Sequence, residues 1–217
     1  MKIGILGTGM VGNAIGSKLV HLGHEVKMGS RTTDNAKATE WVKDKGPHAT
    51  HGTFADAAAH AAIIFNCTSG GVSLEALKLA GEENLKGKIL IDVANPLDFS
   101  NGMPPSLIPS LSNTTSLGEE IQKAYPETKV VKTLNTMNCF LMCDASAVPG
   151  EHDIFVCGND VNAKEIVKSM LMEEFGWKSI VDLGDISGAR GTEMLLPIWI
   201  RLYGINQSPN FNFKIVK

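Results

Sequence analysis

The sequence predicts a doubly wound α/β domain on a mostly parallel sheet, and three observations carry that prediction. Short runs rich in Ile and Val, too short for helices, alternate with longer segments whose apolar residues recur at helical spacing. Four of the runs are apolar at nearly every position, the pattern of strands covered on both faces by helices. The chain of 217 residues, 43% of them hydrophobic, can bury one sizeable core and is short of two full domains.

Taken in order, Lys2–Leu6 reads as the first strand, because KIGIL is apolar and ends at a glycine loop. Val11–Leu22 follows as a helix, then Glu25–Met28 as a strand and Asn35–Lys45 as a helix, with Asp34 placed to cap it. The strands Ala62–Cys67 and Lys88–Val93 flank the helix Leu74–Ala80; Lys129–Leu134 and Asp153–Cys157 follow, with helices at Leu117–Tyr125 and Ala163–Phe175. A β-α-β-α alternation implies right-handed crossovers in a parallel sheet. Residues 1–145 form the expected core, and 146–217 a short C-terminal α/β extension packed on it, in one domain.

Two regions break the alternation. Asn95–Asn113 holds four of the nine prolines and starts at a strand end where ligands of such sheets sit, so it reads as a lid or cofactor wall. Ser187–Tyr203 carries apolar residues on nearly all faces, so the helix is expected to be buried, either on the sheet or in a homodimer interface. Arg190, Glu193 and Trp199 belong to one of those two arrangements.

Composition excludes several classes. A formal net charge of -3 leaves no basic surplus, so nucleic acid is not an expected partner. The longest apolar runs fall far short of the roughly 18–20 residues that cross a bilayer. No apolar signal core precedes the first strand, so a cytoplasmic location is expected. Cys67, Cys139, Cys143 and Cys157 lie among apolar neighbours; the pair Cys139-x-x-x-Cys143 lacks a second pair. They read as free thiols, and no metal site is expected.

The chemistry is concentrated at strand ends. Gly7-x-Gly9-x-x-Gly12 lies directly after a strand and opens a helix. In that context Gly7 makes the tight turn, Gly9 lets the backbone approach a pyrophosphate, and Gly12 allows close helix–strand packing. The pattern makes the domain Rossmann-type. An NAD-binding unit would end its second strand in Asp or Glu to hold the ribose 2′-hydroxyl. Here the strand runs into Gly29-Ser30-Arg31-Thr32-Thr33, where a guanidinium and hydroxyls suit a 2′-phosphate, so the expected cofactor is NADP.

Other strand ends carry small neutral groups: Thr68-Ser69-Gly70-Gly71, Asn95 and Asn135. They converge on the crevice beside the cofactor. None of the six histidines, and no Tyr-x-x-x-Lys pair, sits at such an end. Carbonyl reduction needs a proton donor, whereas hydride transfer between rings needs mainly stacking and a dry gap. The residues therefore favour ring-to-ring transfer and name no catalytic side chain, with Lys132 or a cofactor hydroxyl left as the alternative proton source.

At this point the chain resembles the NADPH-dependent reductases of the deazaflavin coenzyme F-420 type, whose nucleotide-binding fold is similar to the cytosolic domain of membrane metalloreductases. The resemblance rests on Lys2–Gly12, on Leu22-Gly-His-Glu-Val with Gly29-Ser30-Arg31, on Lys129–Thr136, on Val156–Asp160 and on Asp182–Arg190 with Glu193. It implies that Thr8, Gly9, Met10, Val11, Ser30 and Arg31 hold NADP. It also implies that Thr68–Ser69 and Asn135–Cys139 wall a nicotinamide and deazaflavin cleft. The expected function is hydride transfer between NADPH and a second ring, a deazaflavin or flavin. A reductase of small carbonyl or imine substrates and a non-catalytic NADP sensor are the alternatives.

Overall fold

The computed structural model describes residues 1–216. The chain runs β1 (Lys2–Leu6), α1 (Met10–His21), β2 (Glu25–Ser30), α2 (Ala36–Lys45), β3 (Ala49–Thr53), α3 (Phe54–His60), β4 (Ile63–Asn66), α4 (Ser73–Ala80), α5 (Glu82–Leu85) and β5 (Ile89–Asp92). It continues through β6 (Leu97–Asp98), β7 (Ser106–Leu107), α6 (Leu117–Ala124), β8 (Lys129–Thr133), α7 (Cys139–Cys143), β9 (Ile154–Gly158), α8 (Val161–Glu173), β10 (Ile180–Asp182), α9 (Ala189–Met194) and α10 (Leu196–Asn206).

Eight strands form one sheet in the order β10-β9-β8-β5-β4-β1-β2-β3. Every pairing is parallel except that of β9 with β8, so β9 and β10 run against the other six. The order reverses between β1 and β4, and that switch point opens a crevice at the carboxyl ends of the strands.

Alternation along each strand feeds two cores. Ile3, Ile5, Phe65, Ile91 and Val131 face one layer with Ile15, Leu19 and Trp41, while Leu6, Ile64, Leu90 and Val130 face the other with Leu77, Leu117 and Ile121. Each of these large side chains contributes roughly 1.5–3 kcal/mol by leaving water. The near-continuous apolar runs of the sequence are the consequence of these two covered faces.

The structure departs from the sequence-based expectations at the edges. β3 (Ala-Thr-His-Gly-Thr) has no apolar run; it forms because β2 pairs with it from Val26↔Ala49 to Ser30↔Thr53. A capping box between Thr53 and Asp56 then starts α3. β10 (Ile-Val-Asp), at the opposite edge, is only three residues long. The cap of α2 is Asn35, whose side chain accepts from the Ala38 amide, and not Asp34.

The segment 95–113 is ordered around the two-stranded ribbon β6–β7. The apolar C-terminal stretch is not buried all round: Leu196 and Ile200 are covered, while Ile198 is 52% exposed. Glu193 and Arg190 are engaged within the same chain. Glu193 is buried, and Arg190 forms a two-pronged pair with Glu119 at 2.7 and 2.5 Å.

Candidate functional site

The glycine loop is built by sterics before any ligand is considered. Gly7 has φ of 120°, and a Cβ there would lie 2.7 Å from the Cys67 carbonyl oxygen of β4's exit. A Cβ on Gly12 would lie 2.1 Å from the Gly7 carbonyl oxygen, so α1 presses directly on the loop. Above Gly9 the space is open. Gly9 caps α1 without a side-chain bond, and the first turn holds no acidic residue, so the helix start presents uncapped N–H groups to the crevice.

A cleft of about 500 Å³ extends from this loop, lined among others by Thr8, Gly9, Arg31, Thr32, Thr68 and Ser69. Arg31 is exposed at its side. Ser30 also lines the cleft, yet it is buried and its hydroxyl donates to the Thr32 carbonyl at 2.5 Å. Its first role here is to hold the turn that presents Arg31. Thr33 is not among the lining residues, although the sequence grouped it with the anion donors.

A second hollow of about 220 Å³ adjoins the cleft through shared walls at Thr68 and Ser69. Val11, Asn95 and Asn135 line it, as do Phe99 of the 95–113 segment and Leu196 and Trp199 of α10. Asn95 and Asn135 bond each other, Asn95 Nδ2 to the Asn135 carbonyl at 2.8 Å and Asn135 Nδ2 to Asn95 Oδ1 at 2.9 Å. Leu134 adopts φ of 64° just before this pair, a left-handed backbone costing on the order of 1–3 kcal/mol. That turn swings Asn135 toward the β5 exit. Trp199 stacks on Phe211 and Tyr203, with ring centroids 5.3 and 5.7 Å apart, which fixes the far wall.

Ten of the twelve sequence-predicted residues line the cleft or the adjoining hollow, all but Met10 and Gly12. Gly12 packs behind the loop, and the side chain of Met10 is 81% exposed on the other flank of α1, beside Phe140. Only the backbone of Met10, at the helix start, adjoins the loop. Phe99 lies in the 95–113 segment that the sequence marked as a lid or cofactor wall, whereas Trp199 was not seen as a wall because only the folded return of the C-terminal segment brings it to the hollow.

Lys132 is not an available acid. Its side chain is 0% exposed and its ammonium sits 2.8 Å from both Asp92 and Glu193. Burial pulls its pKa down, but the two carboxylates outweigh burial and hold it above the ordinary lysine value. The one titratable side chain in the small hollow is Cys67, whose thiol burial pushes well up.

A parallel sheet reversing beside a glycine loop, with an arginine where an acidic residue would select NAD, defines a dinucleotide-binding oxidoreductase of NADP type. Residues 2–96 match the family described as NADP oxidoreductase, coenzyme F420-dependent. The chain is 31% identical to an F420-dependent NADP reductase of Methanocaldococcus jannaschii, across 93% of this chain and 92% of that one. It is 29% identical to the metalloreductase STEAP3 of Rattus norvegicus, where the match spans 91% of this chain but 38% of that protein. Its structure superposes on a candidate F420-dependent NADP reductase from Arthrobacter sp. FB24 with a TM-score of 0.93, 51% identity and 100% coverage of both chains. The chain belongs to the coenzyme F420-dependent NADP oxidoreductase family, and its cofactor is NADP. No helix of the described residues is long and apolar enough to cross a membrane.

Proposed function

We propose that the chain transfers a hydride between NADPH and a deazaflavin of the coenzyme F420 type. The carrying observation is the small hollow beside the cofactor cleft, walled by Phe99, Trp199, Leu196 and the Asn95–Asn135 pair, with no carboxylate, imidazole or ammonium group among its lining residues. Such a space suits stacking of two rings and offers no acid for a developing alkoxide. The named activity of the Methanocaldococcus relative supports the same reading.

In this reading, Gly7, Thr8, Gly9, Met10, Val11 and Gly12 form the pyrophosphate loop. Arg31, held by the Ser30 turn, takes the 2′-phosphate, and Thr68, Ser69, Asn95 and Asn135 surround the nicotinamide half. The bound pair of rings supplies the redox chemistry; the chain aligns them and keeps water from the gap. The free thiols support a reducing compartment, and the exposed Ile198 and Ile205 on one side of α10 support a homodimer.

The test is steady-state oxidation of NADPH against coenzyme F420, FMN, riboflavin and a quinone. Turnover with the deazaflavin well above that with the other acceptors is expected. Turnover with FMN or the quinone and none with the deazaflavin would overturn the assignment.

A further inference from the structure

Asn66, Asp92 and Lys132 are register partners on the adjacent strands β4, β5 and β8, so they form one polar row across the carboxyl end of the sheet. All three are buried. Lys132 Nζ donates to Asp92 Oδ2 at 2.8 Å and to the Ala94 carbonyl at 2.6 Å, and it lies 2.8 Å from Glu193 Oε1. Glu193, delivered by α9, is itself held by the Leu117 and Gly118 amides at 2.8 and 3.1 Å, at the start of α6. That helix start compensates the second carboxylate of the cluster.

The row dictates hydrogen-bond polarity beyond its own end. Asp92 accepts at both oxygens, from Lys132 at Oδ2 and from the Ala94 amide and Asn66 Nδ2 at Oδ1, so the Asn66 carboxamide turns Nδ2 toward it, at 2.8 Å. Asn66 Oδ1 is thereby aimed at Thr68, where it accepts from the hydroxyl at 2.7 Å and from the amide at 3.3 Å. The one hydroxyl hydrogen of Thr68 is thus committed inward. Ser73 Oγ, 2.8 Å away, then donates to the Thr68 oxygen, which keeps one further accepting position where Thr68 lines both the cleft and the hollow.

We propose that Glu193, Lys132, Asp92 and Asn66 are positioning residues that fix the Thr68 hydroxyl as a hydrogen-bond acceptor for an N–H or O–H donor on the nicotinamide riboside half of the cofactor. The buried charges then have a function at the crevice as well as in the fold, and they tie it to the C-terminal segment that supplies Trp199. The inference rests on the reading of this cleft as the cofactor site, and its readout is NADPH affinity, which is independent of the acceptor ring.

The experiment is a double-mutant cycle on the NADPH dissociation constant, with thermal melting of each variant alongside. Thr68→Val is expected to weaken binding by about three- to tenfold, and Thr68→Ser to restore it to within about twofold. Asp92→Asn is expected to weaken binding to a similar extent in the wild-type background and to add nothing in the Thr68→Val background. Asn66→Ala, run through the same cycle, gives the same answer should Asp92→Asn not fold. Additive losses, or an Asp92→Asn variant with lower melting temperature and unchanged NADPH affinity, would overturn the proposal.

Discussion

In the proposed reading, cofactor choice turns on Arg31. It is exposed, reaches the side of the cleft and stands after β2 where an NAD enzyme would carry a carboxylate. A charge-assisted pair with a 2′-phosphate contributes on the order of 1.5–3 kcal/mol, a factor of roughly 10–100. Arg31→Ala should therefore raise the dissociation constant for NADPH by about that factor and leave NADH nearly unchanged, as titration calorimetry with both nucleotides would record; equal losses for the two would sink the role. Arg31 and the three glycines were legible in the sequence because their chemistry is local, fixed by neighbours along the chain. Asp92 and Lys132 were not legible as a pair, because they are 40 residues apart and meet only through the β5–β8 register. The exchange of Asn35 for the expected Asp34 at the α2 cap has the opposite scale: either side chain can cap, and one residue of backbone path decided it.

At the scale of the element, the sequence reading missed the short ribbon β6–β7 and, in the eight-stranded sheet, the two edges, β3 and β10. Edge strands need no apolar run, since one neighbour and a few side-chain contacts hold them. β10 is tied to α8 through Asp182, which accepts from Lys168 Nζ at 2.8 Å, Lys164 Nζ at 3.0 Å and the Gly184 amide at 2.9 Å. Burial alone would push this carboxyl up, but those three donors outweigh it and hold the pKa at about 2 instead of an ordinary 3.8. The stabilisation is then fully present above 3.8 and is lost as pH falls toward about 2. Because the side chain is 32% exposed, solvent screening reduces it to about 1 kcal/mol. Asp182→Asn should lower the melting temperature at pH 7, and the gap from wild type should close on acidification across that window. A gap that stays constant with pH would show that the ion pairs contribute nothing.

At the scale of the whole molecule, the division into a core of residues 1–145 and an appended extension is the expectation under most pressure. The strand runs and the glycine motif locate the core in sequence, and the strands from β1 to β8 lie within residues 1–145. The extension, however, completes that same sheet: β9 pairs with β8 through Val131↔Gly158, Lys132↔Cys157 and Thr133↔Val156, and β10 pairs with β9. It also supplies Glu193 to Lys132, where both side chains are buried. Removing one partner from a buried ionic cluster costs on the order of 3–5 kcal/mol, and stripping β9 exposes the apolar face of β8 besides. Domains of this size are stable by only about 5–15 kcal/mol, so those losses consume most of the margin. A fragment of residues 1–145 should therefore show no cooperative urea transition by circular dichroism, while the full chain should give one transition with coincident fluorescence and circular dichroism midpoints. A fragment that unfolds cooperatively near the full-length midpoint and still binds NADPH would establish the core as an autonomous unit. It would also show that the Lys132–Asp92 pair tolerates the loss of Glu193, which the geometry of the row argues against.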